Sequence, residues 1–75
     1  MKQHLYLHIA ETIERQIMEN VLRIGDRLPS VRALSREHGI SMSTSLQAYY
    51  HLEGKGLVES RPQSGYYVRF NPSRF

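Results

Sequence analysis

The sequence predicts a mainly α-helical domain closed by a small β-hairpin: three helices, then a wing of two to three strands. Three observations predict it. Apolar residues recur at helical spacing over residues 5–19 and again over residues 40–52. Gly39-Ile40-Ser41 is all that separates the later of these segments from a shorter helical pattern just upstream. After Gly56 the chain turns to β-branched and aromatic residues on either side of Pro62-Gln63-Ser64-Gly65, a turn-forming tetrad. The 75 residues contain no cysteine, so a small core must hold one domain together without disulfides or thiolate metal sites. That domain is expected to have its core at about residues 5–70.

The first helix is expected from residue 5 to about 19. Tyr6, Ile9, Ala10, Ile13 and Ile17 form one apolar stripe, with Glu11, Glu14, Arg15 and Glu19 elsewhere on the helix. Glu11 and Arg15 are spaced for an i, i+4 pair, and Asn20 suits a left-handed terminator. His4 and His8 are also four apart, but no third ligand stands at a suitable spacing, so solvated histidines are expected rather than a metal site.

Residues 21–29 read as a connector, with a turn at Gly25-Asp26 and room for a very short strand at Arg27-Leu28. Pro29 disfavours helix at Leu28 and helps set the next helix start. Ser30 is the expected cap of a helix over Val31–His38, with Val31 and Leu34 inward and Arg32 and Arg36 on the other side. Gly39 stops it.

The third helix lies between Gly39 and Gly56, capped by Ser41. Ile40, Thr44, Ala48 and Leu52 recur every four residues with Tyr49 beside Leu52, so this face is expected in the core. Met42, Ser43, Leu46, Gln47 and Tyr50 occupy the opposite face. Residues 57–61 and 66–70 are the expected strands, joined by a tip at 62–65. Residues 71–75 have no pattern and are expected to be a tail or the start of a linker. Helix, short strand, two helices joined by a tight turn, then two strands is the order of a winged helix-turn-helix, whose last helix enters a DNA major groove.

Composition narrows the function classes. The net charge is +3 and the pI about 9.6. Residues 1–26 are net −1, whereas residues 27–75 carry seven basic residues against Glu37, Glu53 and Glu59. The positive charge therefore falls on the segment with the two-helix motif, which suits a nucleic-acid partner. There is no run of membrane-spanning length and no signal peptide, so a cytoplasmic protein with no membrane partner is expected. An enzyme is disfavoured: there is no Ser-His-Asp set or phosphate loop, and the four histidines are scattered.

Specific residues go further. Gly25-Asp26-Arg27-Leu28-Pro29-Ser30-Val31-Arg32, Gly39-Ile40-Ser41, Thr44, Ala48-Tyr49, Leu52-Glu53, Gly56-Leu57-Val58 and Ser64-Gly65-Tyr66-Tyr67-Val68 closely resemble the DNA-binding domain of GntR-type bacterial transcription regulators. The resemblance runs over roughly residues 5–70 in unbroken order. Arg61 to Val68, with Ala48-Tyr49, looks most like the MocR branch, in which this domain precedes an aminotransferase-like domain that binds pyridoxal phosphate. Nothing in these 75 residues is suited to that cofactor, and no cofactor is expected.

The resemblance implies sequence-specific binding of double-stranded DNA. It implies that Arg32 reaches the DNA backbone, that Ser41, Met42, Ser43 and Thr44 present the reading turn of the third helix, and that Gly65, taken as the wing tip, approaches the minor groove. Arg61, taken as lying at the base of the hairpin, is expected near phosphates. The departures from the family pattern matter. Met42 stands where arginine is frequent, Asn20 where glycine is usual and Ile24 where proline is common. The third helix has no basic residue before Lys55, so a charged bidentate contact to guanine from its N-terminal half is unavailable. Reading is then expected to rest on Gln47, Ser43, apolar contact of Met42 or Leu46 with thymine methyls, and DNA shape. In this family the C-terminal domain usually binds the effector and dimerises. The effector of this protein is thus expected to bind a domain absent from this chain, with a homodimer possible in the full-length protein. The chain itself is expected to be a fragment or a short stand-alone form. Plainer roles compete at several positions: Tyr49 as core, Tyr50 as a solvated side chain, Ser41 and Thr44 as cap and packing only. The competing function is a winged-helix protein-protein interaction module.

Overall fold

Three helices, α1 (Leu5–Met18), α2 (Val31–His38) and α3 (Met42–Gly54), precede two strands, β1 (Val58–Arg61) and β2 (Gly65–Val68). The computed structural model describes residues 4–73. The helix ends fall where the local chemistry places them. The Ser30 hydroxyl accepts from the Ala33 N–H at 3.0 Å, and the Ser41 hydroxyl accepts from the Thr44 N–H at 3.1 Å. Each satisfies one backbone donor that a helix start leaves without a partner. At the other ends, Asn20 and Gly39 take the left-handed conformation (φ 62° and 63°), turning the chain out of α1 and α2.

The core is built on α3. Ala48, Tyr49 and Leu52 have no exposed surface, and they pack between α1, which contributes Ile9, Ala10, Ile13 and Ile17, and Leu34 of α2. Leu28, Leu57, Val58 and Val68 close the side toward the hairpin. Burying a side chain of this size contributes about 1.5–3 kcal/mol relative to leaving it exposed. Ser45 is also fully buried, and its hydroxyl donates back to the Ser41 carbonyl at 3.3 Å. Lys55, just past α3, pairs with Glu14 of α1 at 2.7 Å. No helix among the described residues is long and apolar enough to cross a membrane.

The hairpin is antiparallel, with Val58 opposite Val68, Glu59 opposite Tyr67, Ser60 opposite Tyr66 and Arg61 opposite Gly65. The Arg27-Leu28 strand expected from sequence is a single bridge, Arg27 to Tyr67. Backbone bonds run alongside it from Gly25 to Val68 at 2.8 Å and from Leu28 to Tyr66 at 2.8 Å.

Three features differ from the sequence reading. The turn is Pro62-Gln63-Ser64, one residue shorter than expected. Proline at the second position and a positive φ (62°) at Gln63 give it the signature of a type II turn, closed by Ser64 N–H to the Arg61 carbonyl at 3.0 Å. Gly65 is therefore the first residue of β2 rather than the tip, and Arg61, its partner, stands beside the turn rather than at the base of the hairpin. The third difference is at the C-terminal end. Residues 71–73 dock instead of trailing. Asn71 is buried and donates from Nδ2 to the Ile17 carbonyl at 2.8 Å, and the Ser73 hydroxyl donates to the Met18 carbonyl at 3.0 Å. These are carbonyls of the last turn of α1, which lack partners within the helix. Residues 74 and 75 lie outside the described residues.

Candidate nucleic-acid interface

The outward face of α3 is short and mostly uncharged. Met42, Ser43, Gln47 and Tyr50 are exposed and Leu46 is half-buried. This follows from the periodicity: the inward stripe consumes Ser45, Ala48, Tyr49 and Leu52, so residues on the opposite side of the helix face solvent. Thr44 is half-buried, and its hydroxyl lies 2.9 Å from that of Ser41. The two share the cap at the helix start. Ser41, Met42 and Ser43 are all exposed, so the N-terminal turn of α3 is open to a partner.

Two contacts fix α2 against this face. The Ser35 hydroxyl donates to the Ile40 carbonyl, closing the turn between the helices. The Tyr49 phenol donates to the Pro29 carbonyl, tying the middle of α3 to the segment that launches α2. The Tyr49 ring also stacks on Tyr66 of β2, with centroids 4.3 Å apart, so the hairpin is held in the same arrangement. Burial, then the nearby Glu37 charge and Tyr66, hold the Tyr49 phenol above its usual value near 10.0. It therefore stays protonated as a donor. Arg32, on the first turn of α2, is exposed and makes no ion pair among the described residues.

The wing brings Arg61 and Gly65 together, as directly opposed residues. Arg61 pairs with Glu59 at 2.9 Å, and its guanidinium lies 4.0 Å from the centre of the Tyr67 ring. The Tyr67 phenol in turn lies 2.5 Å from the Ser64 hydroxyl. Gly65 has φ 121°, a backbone conformation that side-chain-bearing residues rarely adopt. Arg27 joins this group although sequence reasoning did not single it out. It is exposed, and a β-carbon placed on Gly65 would stand 3.6 Å from its Nε. The one local signal was its place among the basic residues beside Leu28-Pro29-Ser30.

The candidate residues thus fall into three groups. Ser41, Met42, Ser43, Thr44 and Gln47 share the start and outer face of α3; Arg32 stands alone on α2; Arg61 and Gly65 share the wing. Lys55 is engaged with Glu14, so the cations available to a polyanion lie around α3 rather than on it. Among the described residues no three His, Cys, Asp or Glu side chains cluster as a metal site would require.

Comparison with known proteins agrees with this fold. The family described as bacterial regulatory proteins, gntR family, matches residues 5–68. The uncharacterized HTH-type transcriptional regulator YjiR of Escherichia coli K12 is 48% identical over 63 residues, covering 84% of this chain and 13% of that protein. The chain therefore spans only a small part of the length of the curated relatives it matches. Among solved structures, YtrA from Sulfolobus acidocaldarius, a GntR-family transcription factor, superposes with a TM-score of 0.86 at 32% identity, over 95% of this chain and 60% of that one. The DNA-binding domain of AraR, in complex with an operator, shares the fold with a TM-score of 0.85 at 24% identity, over 91% of this chain and 82% of that one.

Proposed function

The chain belongs to the gntR family of bacterial regulatory proteins, and we propose that it binds double-stranded DNA with the start of α3 in the major groove and the wing at the minor groove. The observation that carries this reading is the open N-terminal turn of α3. The short Ser41 and Ser43 side chains allow close approach, and α3 is tied to α2 through Ser35 and to the segment before it through Tyr49. The AraR domain of the same fold has been seen with an operator, which is in keeping with a DNA partner. In this reading Gln47 forms paired hydrogen bonds to adenine, Met42 or Leu46 contacts a thymine methyl, and Ser43 bonds to a base edge or phosphate. Ser41 and Thr44 set the helix start. Arg32 and Arg61 contact phosphates, which position the domain without reading sequence. Gly65 brings the wing backbone close to the duplex. Effector binding and dimerisation belong, in the same proposal, to a part of the protein outside these residues.

One observation favours a second reading. α3 carries no lysine or arginine, and Lys55 just past it is paired, which also suits a winged-helix surface for another protein. Salt separates the two. Fluorescence anisotropy on duplexes selected by this chain from a randomised pool should give a linear fall of log affinity with log salt concentration. Failure to select any duplex, or binding insensitive to salt, would leave the protein-interaction module as the better account.

A further inference from the structure

Strand register places five side-chain positions on the outer face of the wing. Directly opposed residues share a face, and alternate residues along a strand return to it. Glu59, Arg61, Gly65, Tyr67 and Arg27 therefore face outward, while Val58, Tyr66 and Val68 face the core. Arg61 approaches from the β1 side and leans over Tyr67. Arg27 approaches from the opposite edge, with Nε and Nη2 at 3.6 and 3.8 Å from where a β-carbon of Gly65 would stand. Two guanidinium groups thus converge on β2 from both sides. Their charge states differ in effect. Arg61 is paired with Glu59, whereas no carboxylate among the described residues lies in ion-pair range of Arg27.

Resting on the DNA-binding reading, we propose that Arg27 is a further phosphate contact of this domain, a cation at the edge of the wing with no ion pair among the described residues, brought beside Gly65 by its bridge to Tyr67. The backbone bridge fixes where the Arg27 side chain starts. The missing side chain of Gly65 leaves its guanidinium room beside β2, at the distance where a single β-carbon would just touch it. A cation at this edge, one residue before the Leu28-Pro29-Ser30 run that launches α2, has its backbone fixed before DNA arrives. Its planar guanidinium also loses less freedom per hydrogen bond formed than a lysine does. A merely structural role, in which Arg27 only covers the glycine, makes a different forecast, because it assigns the charge no work on DNA.

The test uses the 75-residue chain and two probes, a duplex it selects from a randomised pool and an unrelated short duplex. Arg27→Gln removes the charge and keeps a polar, shorter side chain; Arg27→Lys keeps the charge. Arg27→Gln is expected to reduce the salt slope by about one on both duplexes, and Arg27→Lys to restore it, with the melting temperature of both variants unmoved. An unchanged slope in Arg27→Gln, alongside normal salt-dependent binding by the unmodified chain, overturns the assignment and leaves the DNA-binding reading intact. A loss confined to A·T-rich sequence overturns it in favour of a minor-groove contact. Melting temperature and affinity falling together in both variants overturns it in favour of the structural role. Absence of salt-dependent binding by the unmodified chain overturns both readings at once.

Discussion

Tyr49 donates its phenolic hydrogen to the Pro29 carbonyl, twenty residues earlier in the chain, while its ring stacks on Tyr66. One side chain of α3 therefore holds both the launch point of α2 and the hairpin, the two elements on which the outlying arginines stand.

Tyr49→Phe should keep the packing and lose the hydrogen bond, at a cost of about 1 kcal/mol in denaturant melts. It should also change the alkaline limb of stability. The folded-state phenol is raised above its usual 10.0, first by burial. The neutral form is then favoured by folding, so its contribution is complete below that value and lost as pH rises toward the folded-state value. Tyr66 is raised in the same direction, again first by burial. The Phe variant should therefore lose less stability across this range than the unmodified chain, without becoming insensitive to pH. Parallel pH profiles for the two proteins would show that Tyr49 does not titrate in this way.

Asn71→Ala should destabilise the domain by about 1–3 kcal/mol through lost hydrogen bonds and the small cavity left behind. The Ile17 carbonyl keeps the Asn20 N–H at 3.0 Å, which limits the damage. Thermal melts check this directly. A melting temperature equal to that of the unmodified chain would mean that residues 71–73 contribute nothing to the fold.

Gly65→Val should lower melting temperature and DNA affinity together. The reason is backbone rather than space: φ is 121°, and a β-branched residue there is strained wherever the wing lies. Gly65→Ala should show a milder form of both losses. A folded Gly65→Val protein that binds normally would remove the wing from the contact surface.

Arg32→Ala should leave the melting temperature in place, since Arg32 is exposed and makes no ion pair among the described residues. It should weaken binding to specific and unrelated duplexes about equally and reduce the salt slope by about one. A loss at a single base position of the selected site would instead make Arg32 a base-reading residue.

The helices were legible in the sequence because the signals that start and stop them are local. A serine hydroxyl reaches three residues ahead, and a left-handed residue turns the chain within one residue. Ser30, Ser41, Asn20 and Gly39 therefore act as their types predict. The inward face of α3 was legible at Ala48, Tyr49 and Leu52 for the same reason, since a period of 3.6 is carried by the residues themselves, but the buried position in its first turns is Ser45, not the expected Thr44. The open face followed as its complement, and with it Met42, Ser43 and Gln47. Tertiary structure alone decided the register of the wing and the docking of the C-terminal end. Pro62-Gln63-Ser64-Gly65 fits more than one turn, and the choice that put Gln63 in the left-handed position moved Gly65 into β2 opposite Arg61. Arg27 acquired its place from a bridge to Tyr67, forty residues later in the chain. Asn71 reads as tail until the carbonyl it bonds, fifty-four residues earlier, is brought to it. Strand register and docking are fixed by partners distant in sequence, and a polar side chain carries no local mark of whether such a partner will meet it or water will.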